Sequence, residues 1–176
     1  MNAREADEVR RAALLRECAE IENRATWSSQ GQFEQAKSWQ TFNLWVGSLA
    51  ATSAAVSGAL VLAVDDVALV CGILALLSAA GGAVLTIVNA SQRATKATAA
   101  ANAYLEIQNA TRRARRVDFP WMDVEDARVA LQTLTERMDE QNKSAEPISP
   151  RAYRRAGRNI RRGGQAMTEQ EIAAND

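Results

Sequence analysis

The chain contains no histidine. Histidine is the side chain whose ordinary pKa lies closest to neutral pH, and it is the commonest metal ligand in proteins. Its absence removes the commonest general base and the commonest metal ligand together. No nucleophile stands beside a base among the remaining residues, so we expect no enzymatic activity, no metal and no cofactor.

Cysteine and proline are also scarce, with two cysteines and three prolines among 176 residues. Cys18 and Cys71 lie in segments of very different polarity, and they follow neither a CxxC nor a zinc-type spacing. We interpret both as free thiols in a reducing compartment. Because aromatic residues are few and alanine, glutamine, arginine and leucine are abundant, the composition favours helix over strand. The sequence predicts an all-α protein.

Charge is almost absent from the middle of the chain. Between residues 38 and 92 the only charged residues are Asp65 and Asp66. Each uncharged run beside them is longer than the roughly 20 residues that an apolar helix needs to cross a bilayer. We therefore predict a transmembrane helical hairpin over 38–92, with spans at about 40–64 and 67–92 and the lipid bilayer as a partner.

A buried hairpin in a soluble helical bundle is the competing interpretation, because both runs are rich in small residues. Such a hairpin would carry charged residues on an outer face. The runs carry none, and Trp39, Phe42 and Trp45 gather at one end of the first run. Aromatic side chains at that position are typical of the level of the lipid headgroups, so the pattern favours the membrane.

Basic residues lie on one side of the predicted spans. Lys37 precedes the first span, and Arg93 and Lys96 follow the second. Because lysine and arginine bias the orientation of membrane proteins, both termini are predicted to be cytoplasmic. Asp65 and Asp66 then lie at the opposite, extracytoplasmic end of the hairpin.

The adjacent aspartates do not suit a catalytic carboxylate pair, since neighbouring residues on a helix point in different directions. At the hairpin tip, Asp65 and Asp66 favour a turn and stabilise the N-terminus of the second helix. A ring of such aspartates that binds cations in an oligomer remains the alternative.

Residues 1–37 are predicted to form a cytoplasmic amphipathic helix followed by a hinge. Leu14, Cys18, Ile21 and Ala25 recur at helical intervals and share one face. The polar stretch 27–37 contains one glycine, which predicts a hinge or helix break.

Residues 93–163 are predicted to form a cytoplasmic helical region. Beyond the second span the helix is expected to continue unbroken, and Pro120 is expected to end it and to suit the first turn of a returning helix. Ser149 followed by Pro150 predicts the start of a short last helix and Gly163 its end. Residues 164–176 are predicted to be a flexible tail. The predicted buried stripes of the two longer helices are Ala94, Ala97, Ala101, Tyr104, Gln108 and Thr111, and then Val124, Ala127, Leu131, Leu134 and Met138.

Small and hydroxyl-bearing residues recur along both spans. Small faces let helices approach closely in lipid, where hydrophobicity supplies no association force. Packing within the hairpin needs one such face on each helix, and the rest are candidates for a pore lining or an interface between subunits. These helix-packing or pore residues are Gly47, Ser48, Ala51, Thr52, Ser53, Gly58, Gly72, Ala79, Gly82, Thr86 and Asn89.

Two arginine clusters follow the spans. They suit a surface that faces anionic lipid or, alternatively, a phosphate-bearing ligand. The chain has no glycine-rich phosphate loop and little aromatic interleaving, so we expect no nucleic-acid partner. The lipid- or ligand-facing candidates are Arg112, Arg113, Arg115, Arg116, Arg151, Arg154, Arg155 and Arg158.

The order of these parts resembles the SLATT family of bacterial two-transmembrane effectors, whose name stands for SMODS and SLOG-associating two-transmembrane effector domain. The resemblance covers roughly residues 14–163 and rests mainly on two segments. These segments are "AANAYLEIQNATRRARR", which contains Tyr104 and the downstream arginines, and the proline-capped "SPRAYRRAGRNIRRG".

The resemblance implies a homo-oligomeric effector in the bacterial inner membrane that breaches it during phage infection. It also implies a link to a second messenger made by a nucleotidyltransferase, or to a nucleotide-sensing protein, and it assigns no catalytic residue. Two other interpretations remain open: a membrane-anchored sensing or scaffold module without pore activity, and a soluble helical interaction protein.

Overall fold

The protein is helical through nearly all of residues 3–63 and 68–163, the residues that the computed structural model describes. No strand occurs within these ranges, so the predicted all-α class is confirmed. A short π-helix, Ala114–Asp118, directly follows the third helix. The α-helices are α1 Ala3–Ala63, α2 Ala68–Val88, α3 Ala90–Arg113, α4 Val124–Ser144 and α5 Pro150–Arg161.

The chain divides into two compact units. The charged unit comprises the described residues of Met1–Gln35 and Ala97–Asp176, and the apolar unit comprises those of Ala36–Lys96. Asp65 and Asp66, like the predicted tail 164–176, lie outside the described residues.

The core of the charged unit forms where the predicted stripes meet. Cys18, Ile21 and Ala25 of α1 are fully buried, and Leu14 packs at the edge of the same cluster. The same cluster includes Tyr104 and Ile107 of α3 and Leu131, Leu134 and Met138 of α4. The helical spacing of apolar residues therefore predicted the buried faces correctly.

The predicted helix break at 27–37 is wrong, because α1 runs through this stretch without interruption. Two of its polar side chains form hydrogen bonds with the segment that precedes α5. Gln32 Nε2 donates to the carbonyl oxygen of Glu146 at 2.8 Å, and Gln35 Oε1 accepts from Ser149 Oγ at 2.7 Å. Tertiary hydrogen bonds thus stabilise a helix that the local composition disfavours.

Gly31 has a packing role within this stretch. A Cβ atom at this position would lie 2.5 Å from Cδ1 of Ile148, so glycine lets the segment before α5 approach α1 closely. The conformational cost of glycine in a helix is about 1 kcal/mol, which this close contact offsets.

The chain reverses direction after α3 near Pro120, as predicted. Pro120 does not occupy the first turn of α4, however, because Asp123 is the N-cap and accepts a hydrogen bond from the Glu125 backbone N–H at 3.1 Å. Proline lies within the preceding turn, where the buried Phe119 anchors the chain. The predicted position of Pro120 in the helix is therefore wrong by a few residues.

The predicted boundaries of α5 are confirmed. Ser149 caps the helix by accepting a hydrogen bond from the Ala152 backbone N–H, and Pro150 occupies the first turn. Gly163 follows the helix with a φ of 78°, a left-handed conformation that glycine adopts without a Cβ penalty.

The second apolar segment is interrupted once. α2 ends at Val88 and α3 begins at Ala90, because Asn89 between them has a φ of 50°. Asparagine tolerates this left-handed conformation better than most residues. The expected helix beyond the span is confirmed for α3, but its unbroken continuation from the span is wrong at Asn89.

Candidate functional site

The apolar unit exposes a large hydrophobic surface. The described part of the chain contains two helices that are long and apolar enough to cross a membrane, and only 6% of the residues in the most apolar window of each are buried. A core helix of a soluble protein passes the same length test but is mostly buried, so its surface differs from this one. The exposed side chains include Leu44, Trp45, Leu49, Leu62, Leu69, Leu76 and Ile87.

Within the apolar unit, a narrow row of small residues carries the contacts between α1 and α2. Ser57 Oγ donates to the carbonyl oxygen of Cys71 at 2.9 Å, and both residues are buried. A Cβ atom on Gly81 would lie 3.0 Å from Cβ of Ala50, and one on Gly47 would lie 3.6 Å from Cδ1 of Leu85. Close approach of small residues with an interhelical hydrogen bond is typical of helix packing in lipid.

The predicted packing or pore residues divide between this contact row and the outer surface. Gly47 and the buried Ser53 belong to the contact row or its edge. At Gly58, Gly72 and Gly82, an added Cβ would meet no atom within 4 Å. The others, which are exposed, are Ser48, Ala51, Thr52, Ala79, Thr86 and Asn89.

Thr86 and Asn89, two polar residues of the outer surface, form side-chain hydrogen bonds with residues three or four positions away in the sequence. Thr86 Oγ1 donates to the carbonyl oxygen of Gly82 at 3.0 Å, four residues back along α2. The side-chain amide of Asn89 donates to Oε1 of Gln92. Such local bonds allow a hydroxyl or amide to sit on an apolar helix face at low cost.

One end of the apolar unit combines aromatic and basic side chains. The guanidinium carbon of Arg93 lies 5.1 Å from the centre of the Trp39 ring, and Trp39 meets Phe42 edge to face. Trp39 belongs to the first apolar run and Arg93 follows the second, so the same end of both runs carries this cluster. Aromatic rings and cations of this kind are typical of a membrane interface.

Arg112 and Arg115, two of the residues predicted to face lipid or a ligand, form ion pairs with an acidic residue of α1. Arg112 Nε lies 2.9 Å from Oε1 of Glu22, and Arg115 Nη2 lies 2.9 Å from Oε2 of the same carboxylate. Burial raises the pKa of Glu22, but the hydrogen bonds and charges of the two arginines outweigh burial and hold that pKa below its usual value. This cluster connects α1 to the end of α3 and to the π-helix.

The remaining predicted arginines lie at the surface. Arg113, Arg116, Arg151 and Arg155 are exposed. Arg154 and Arg158 are also exposed, and they line a pocket in the charged unit.

This pocket has a volume of about 470 Å³ and lies where α5 packs against α1. Its six lining residues are Trp27, Tyr153, Arg154, Gly157, Arg158 and Arg161. The Trp27 and Tyr153 rings stack with centroids 5.7 Å apart and an angle of 29° between their planes. The pocket therefore joins a stacked aromatic pair to three arginines and has no acidic residue in its lining.

Trp27 and Tyr153 were not predicted as members of a site, and Arg161 was not among the arginines named as candidates. Trp27 is far from α5 in the chain, so its pairing with Tyr153 left no local signal. The spacing of Arg154, Arg158 and Arg161 by four and three residues does indicate a common helix face. This spacing was the one signal that could have singled them out from the other arginines of α5.

One buried polar atom is unsatisfied within the described residues. Gln108 Oε1 is buried in α3 and has no hydrogen-bond partner. Nearby along the helix, Thr111 Oγ1 donates to the Ile107 carbonyl oxygen at 2.7 Å. In the described ranges no group of three or more potential metal-ligating acidic or sulfur side chains occurs.

Compared with known proteins, the chain matches no protein-family model, no curated protein and no solved structure.

Proposed function

We propose that this protein is a bacterial two-transmembrane effector whose subunits assemble in the inner membrane and form a pore or otherwise disrupt the bilayer. The observation that carries the proposal is the exposed apolar surface of α1 and α2, with only 6% of each most apolar window buried. Burial of this surface in lipid removes the free-energy cost of exposing it to water.

The proposed membrane unit is a helical hairpin with both termini in the cytoplasm. The cluster of Trp39 and Arg93 supports this orientation, because aromatic residues are enriched at membrane interfaces and basic residues are enriched on the cytoplasmic side. In this arrangement the charged unit is a cytoplasmic helical bundle, and Asp65 and Asp66 are the extracytoplasmic tip.

Assembly is supported by small residues that the hairpin does not use. Gly58, Gly72 and Gly82 face open space, whereas Gly47 and Gly81 already lie against the neighbouring helix. Open glycines on a lipid-facing surface allow a second copy of the chain to approach closely. In the oligomer, Ser48 and Thr52 are candidates for a polar pore lining.

In the proposed mechanism, the cytoplasmic helices hold the spans in a closed arrangement until a signal shifts the population to an open one. The resemblance to the SLATT family supports a role in antiphage defence by abortive infection, linked to a nucleotide second messenger or to a sensor protein. In this role the chain acts without catalytic chemistry of its own.

The proposal is tested with purified protein in liposomes loaded with a fluorescent dye and with planar bilayers. We expect dye release and discrete conductance from wild type, and reduced oligomer size with lower conductance from Gly58→Leu or Gly82→Leu. Leu77→Ile is the matched control, because it changes an exposed apolar side chain without filling a small-residue gap. Stable oligomers that never conduct would favour the membrane-anchored scaffold instead.

Two simpler measurements separate the remaining alternatives. Recovery of the protein in the detergent-free cytosolic fraction would favour the soluble interaction protein and contradict membrane insertion. If the aspartates surround a pore mouth, replacement of Asp65 and Asp66 by asparagine should reduce the preference for cations over anions. An unchanged reversal potential in a salt gradient would remove that role from the aspartates.

A further inference from the structure

We infer that the pocket formed by Trp27, Tyr153, Arg154, Gly157, Arg158 and Arg161 binds a phosphate-bearing ligand. Binding at this pocket does not require pore formation, so the inference stands or fails separately from the proposed function. The lining combines groups that bind phosphate with groups that bind a flat ring or an apolar moiety.

The three lining arginines are available to a ligand. Arg154, Arg158 and Arg161 are exposed, and within the described ranges none of their guanidinium groups has a hydrogen bond or ion pair. Arg112 and Arg115, by contrast, are already engaged with Glu22. Guanidinium groups bind phosphate oxygens through paired, charge-assisted hydrogen bonds, which favours phosphate over smaller or neutral ligands.

All charged residues of α5 are arginines. The helix contains five arginines and no acidic residue, and Arg162 directly follows it. Residues four and three positions apart project from the same side of a helix, so Arg154, Arg158 and Arg161 line the same pocket and can contact the same anion. A cleft lined by one sign of charge raises the local concentration of an oppositely charged ligand.

The aromatic pair gives the pocket a second recognition element. Tyr153 is 55% exposed although it stacks on Trp27, so one part of its ring remains open to a ligand. Exposed aromatic rings stack on the bases of nucleotides and contact acyl or glycerol groups of lipids. Phosphate is the chemistry that a nucleotide and an anionic lipid headgroup share, and the aromatic wall predicts a preference for a ring-bearing phosphate.

Gly157 sets the distance between the two recognition elements. A Cβ at this position would lie 3.2 Å from Cζ3 of Trp27 and 3.4 Å from Nη1 of Arg161. Glycine therefore lets α5 lie close to Trp27 and keeps Arg161 beside the aromatic pair. Gly157→Ala is expected to move these groups apart by a few tenths of an ångström and to weaken binding.

Binding is tested by calorimetry on the full chain in a nonionic detergent, with ATP, inorganic triphosphate and adenosine as probes. We expect saturable binding of ATP and of triphosphate, and weaker binding of adenosine, which has no phosphate. Arg158→Gln and Arg154→Gln should each weaken ATP binding by about tenfold or more, because each removes charge-assisted hydrogen bonds. Circular dichroism checks that each variant keeps its helical content.

Arg151→Gln is the matched control for charge. It removes the same charge from the same helix, but Arg151 does not line the pocket. We expect ATP binding to change by less than about twofold, because exposed charges outside the site are screened by salt. If Arg151→Gln and Arg158→Gln weaken ATP binding equally, ATP is attracted to the basic helix in general, and the inference that it binds in the pocket is contradicted.

Tyr153 variants test the aromatic wall. Tyr153→Ala should weaken ATP binding by about tenfold and leave triphosphate binding nearly unchanged, since base stacking contributes of this order. Tyr153→Phe keeps the ring and should bind ATP as wild type does. If Tyr153→Ala binds ATP unchanged, the aromatic contribution is overturned.

Titration with lipids tests whether the bound phosphate belongs to a lipid headgroup or to a soluble ligand. Short-chain phosphatidylglycerol is titrated against the same variants, with short-chain phosphatidylcholine as the zwitterionic control. Binding of phosphatidylglycerol that exceeds ATP binding and depends on Arg158 assigns the pocket to a lipid headgroup, and the reverse order assigns it to a soluble phosphate. Absence of saturable binding by ATP, triphosphate and phosphatidylglycerol would overturn the inference.

Discussion

Glu22 and Arg115 are 93 residues apart in the sequence and are joined by two hydrogen bonds, from Nε at 3.0 Å and from Nη2 at 2.9 Å to the same carboxylate oxygen. Arg112 binds the other oxygen. The Glu22 side chain is only 14% exposed, so one carboxylate on α1 holds the ends of two helical segments in a largely buried position.

Replacement of Glu22 by glutamine should destabilise the protein by roughly 1–3 kcal/mol, because two partly buried guanidinium groups lose their charged partner. The measurement is thermal unfolding followed by circular dichroism in detergent. Glu125→Gln is the matched control, since the ion pair between Glu125 and Arg128 is exposed and should contribute little to the free energy of unfolding. Equal losses in the two variants would contradict a special role for Glu22.

The same carboxylate should make stability depend on acid pH. Its pKa in the folded state lies below the ordinary value of 4.5, so the unfolded chain takes up a proton first as the pH falls. The stabilisation is fully present above about that ordinary pKa and is lost as the pH falls through the lower folded-state pKa.

Unfolding midpoints measured from neutral pH to the acid range check this dependence. Wild type should lose stability below about pH 4.5 more steeply than Glu22→Gln, which has no carboxyl group to titrate there. Parallel curves for the two proteins would show that other carboxylates cause the acid sensitivity.

Two neighbouring glycines of α2 should respond differently to the same substitution. Gly81→Ala places a methyl group 3.0 Å from Cβ of Ala50 and should destabilise the apolar unit by about 1 kcal/mol through overpacking. Gly82→Ala adds a methyl group in open space, and the better helix propensity of alanine should leave stability equal or higher. Resistance to unfolding by denaturing detergent compares them, and equal effects would contradict the described contact row.

Cys18 should react slowly with alkylating reagents. Burial raises its pKa from 9.0 to about 11, and the opposing charge of Arg115 is the smaller effect. Because this pKa is about two units higher than usual, the fraction of Cys18 present as the reactive thiolate at pH 8 falls by about a hundredfold. The rate of iodoacetamide labelling in a Cys71→Ser background, compared with the unfolded chain, measures this protection, and labelling at the unfolded rate would show that Cys18 is accessible.

Asn89 should tolerate glycine but not a β-branched residue. Its φ of 50° is left-handed, so Asn89→Gly should keep stability, whereas Asn89→Val should cost roughly 1–2 kcal/mol. Ala83→Val is the control, because it introduces the same side chain at an exposed helical position of α2. Thermal unfolding in detergent provides the comparison, and equal costs at the two positions would indicate that Asn89 adopts an ordinary helical conformation.

Local patterns predicted much of the fold. The buried stripes of α1, α3 and α4 and the capping of α5 by Ser149 follow from helical spacing and from backbone groups a few residues away. The stretch 27–37 was wrongly predicted to contain a hinge or break because it is polar and contains one glycine. Its partners, near Glu146 and Ser149, lie far along the chain.

The candidate sites were less predictable than the helices. Composition identified two arginine clusters, but it did not distinguish Arg112 and Arg115, which pair with Glu22, from Arg154 and Arg158, which line a pocket. The distinction depends on which residue of another helix lies opposite each guanidinium group. A repeat within one segment does not contain that information.

The amino-acid sequence by itself determined the helical class, the two uncharged segments and the helix faces that become buried, because periodicity and capping act over a few residues. Only the tertiary structure decided that Gly81 packs against Ala50 while Gly82 stays open, and that Trp27 meets Tyr153 beside three arginines. These outcomes depend on the rotation and distance of one helix relative to another, which are set by packing between residues far apart in the chain.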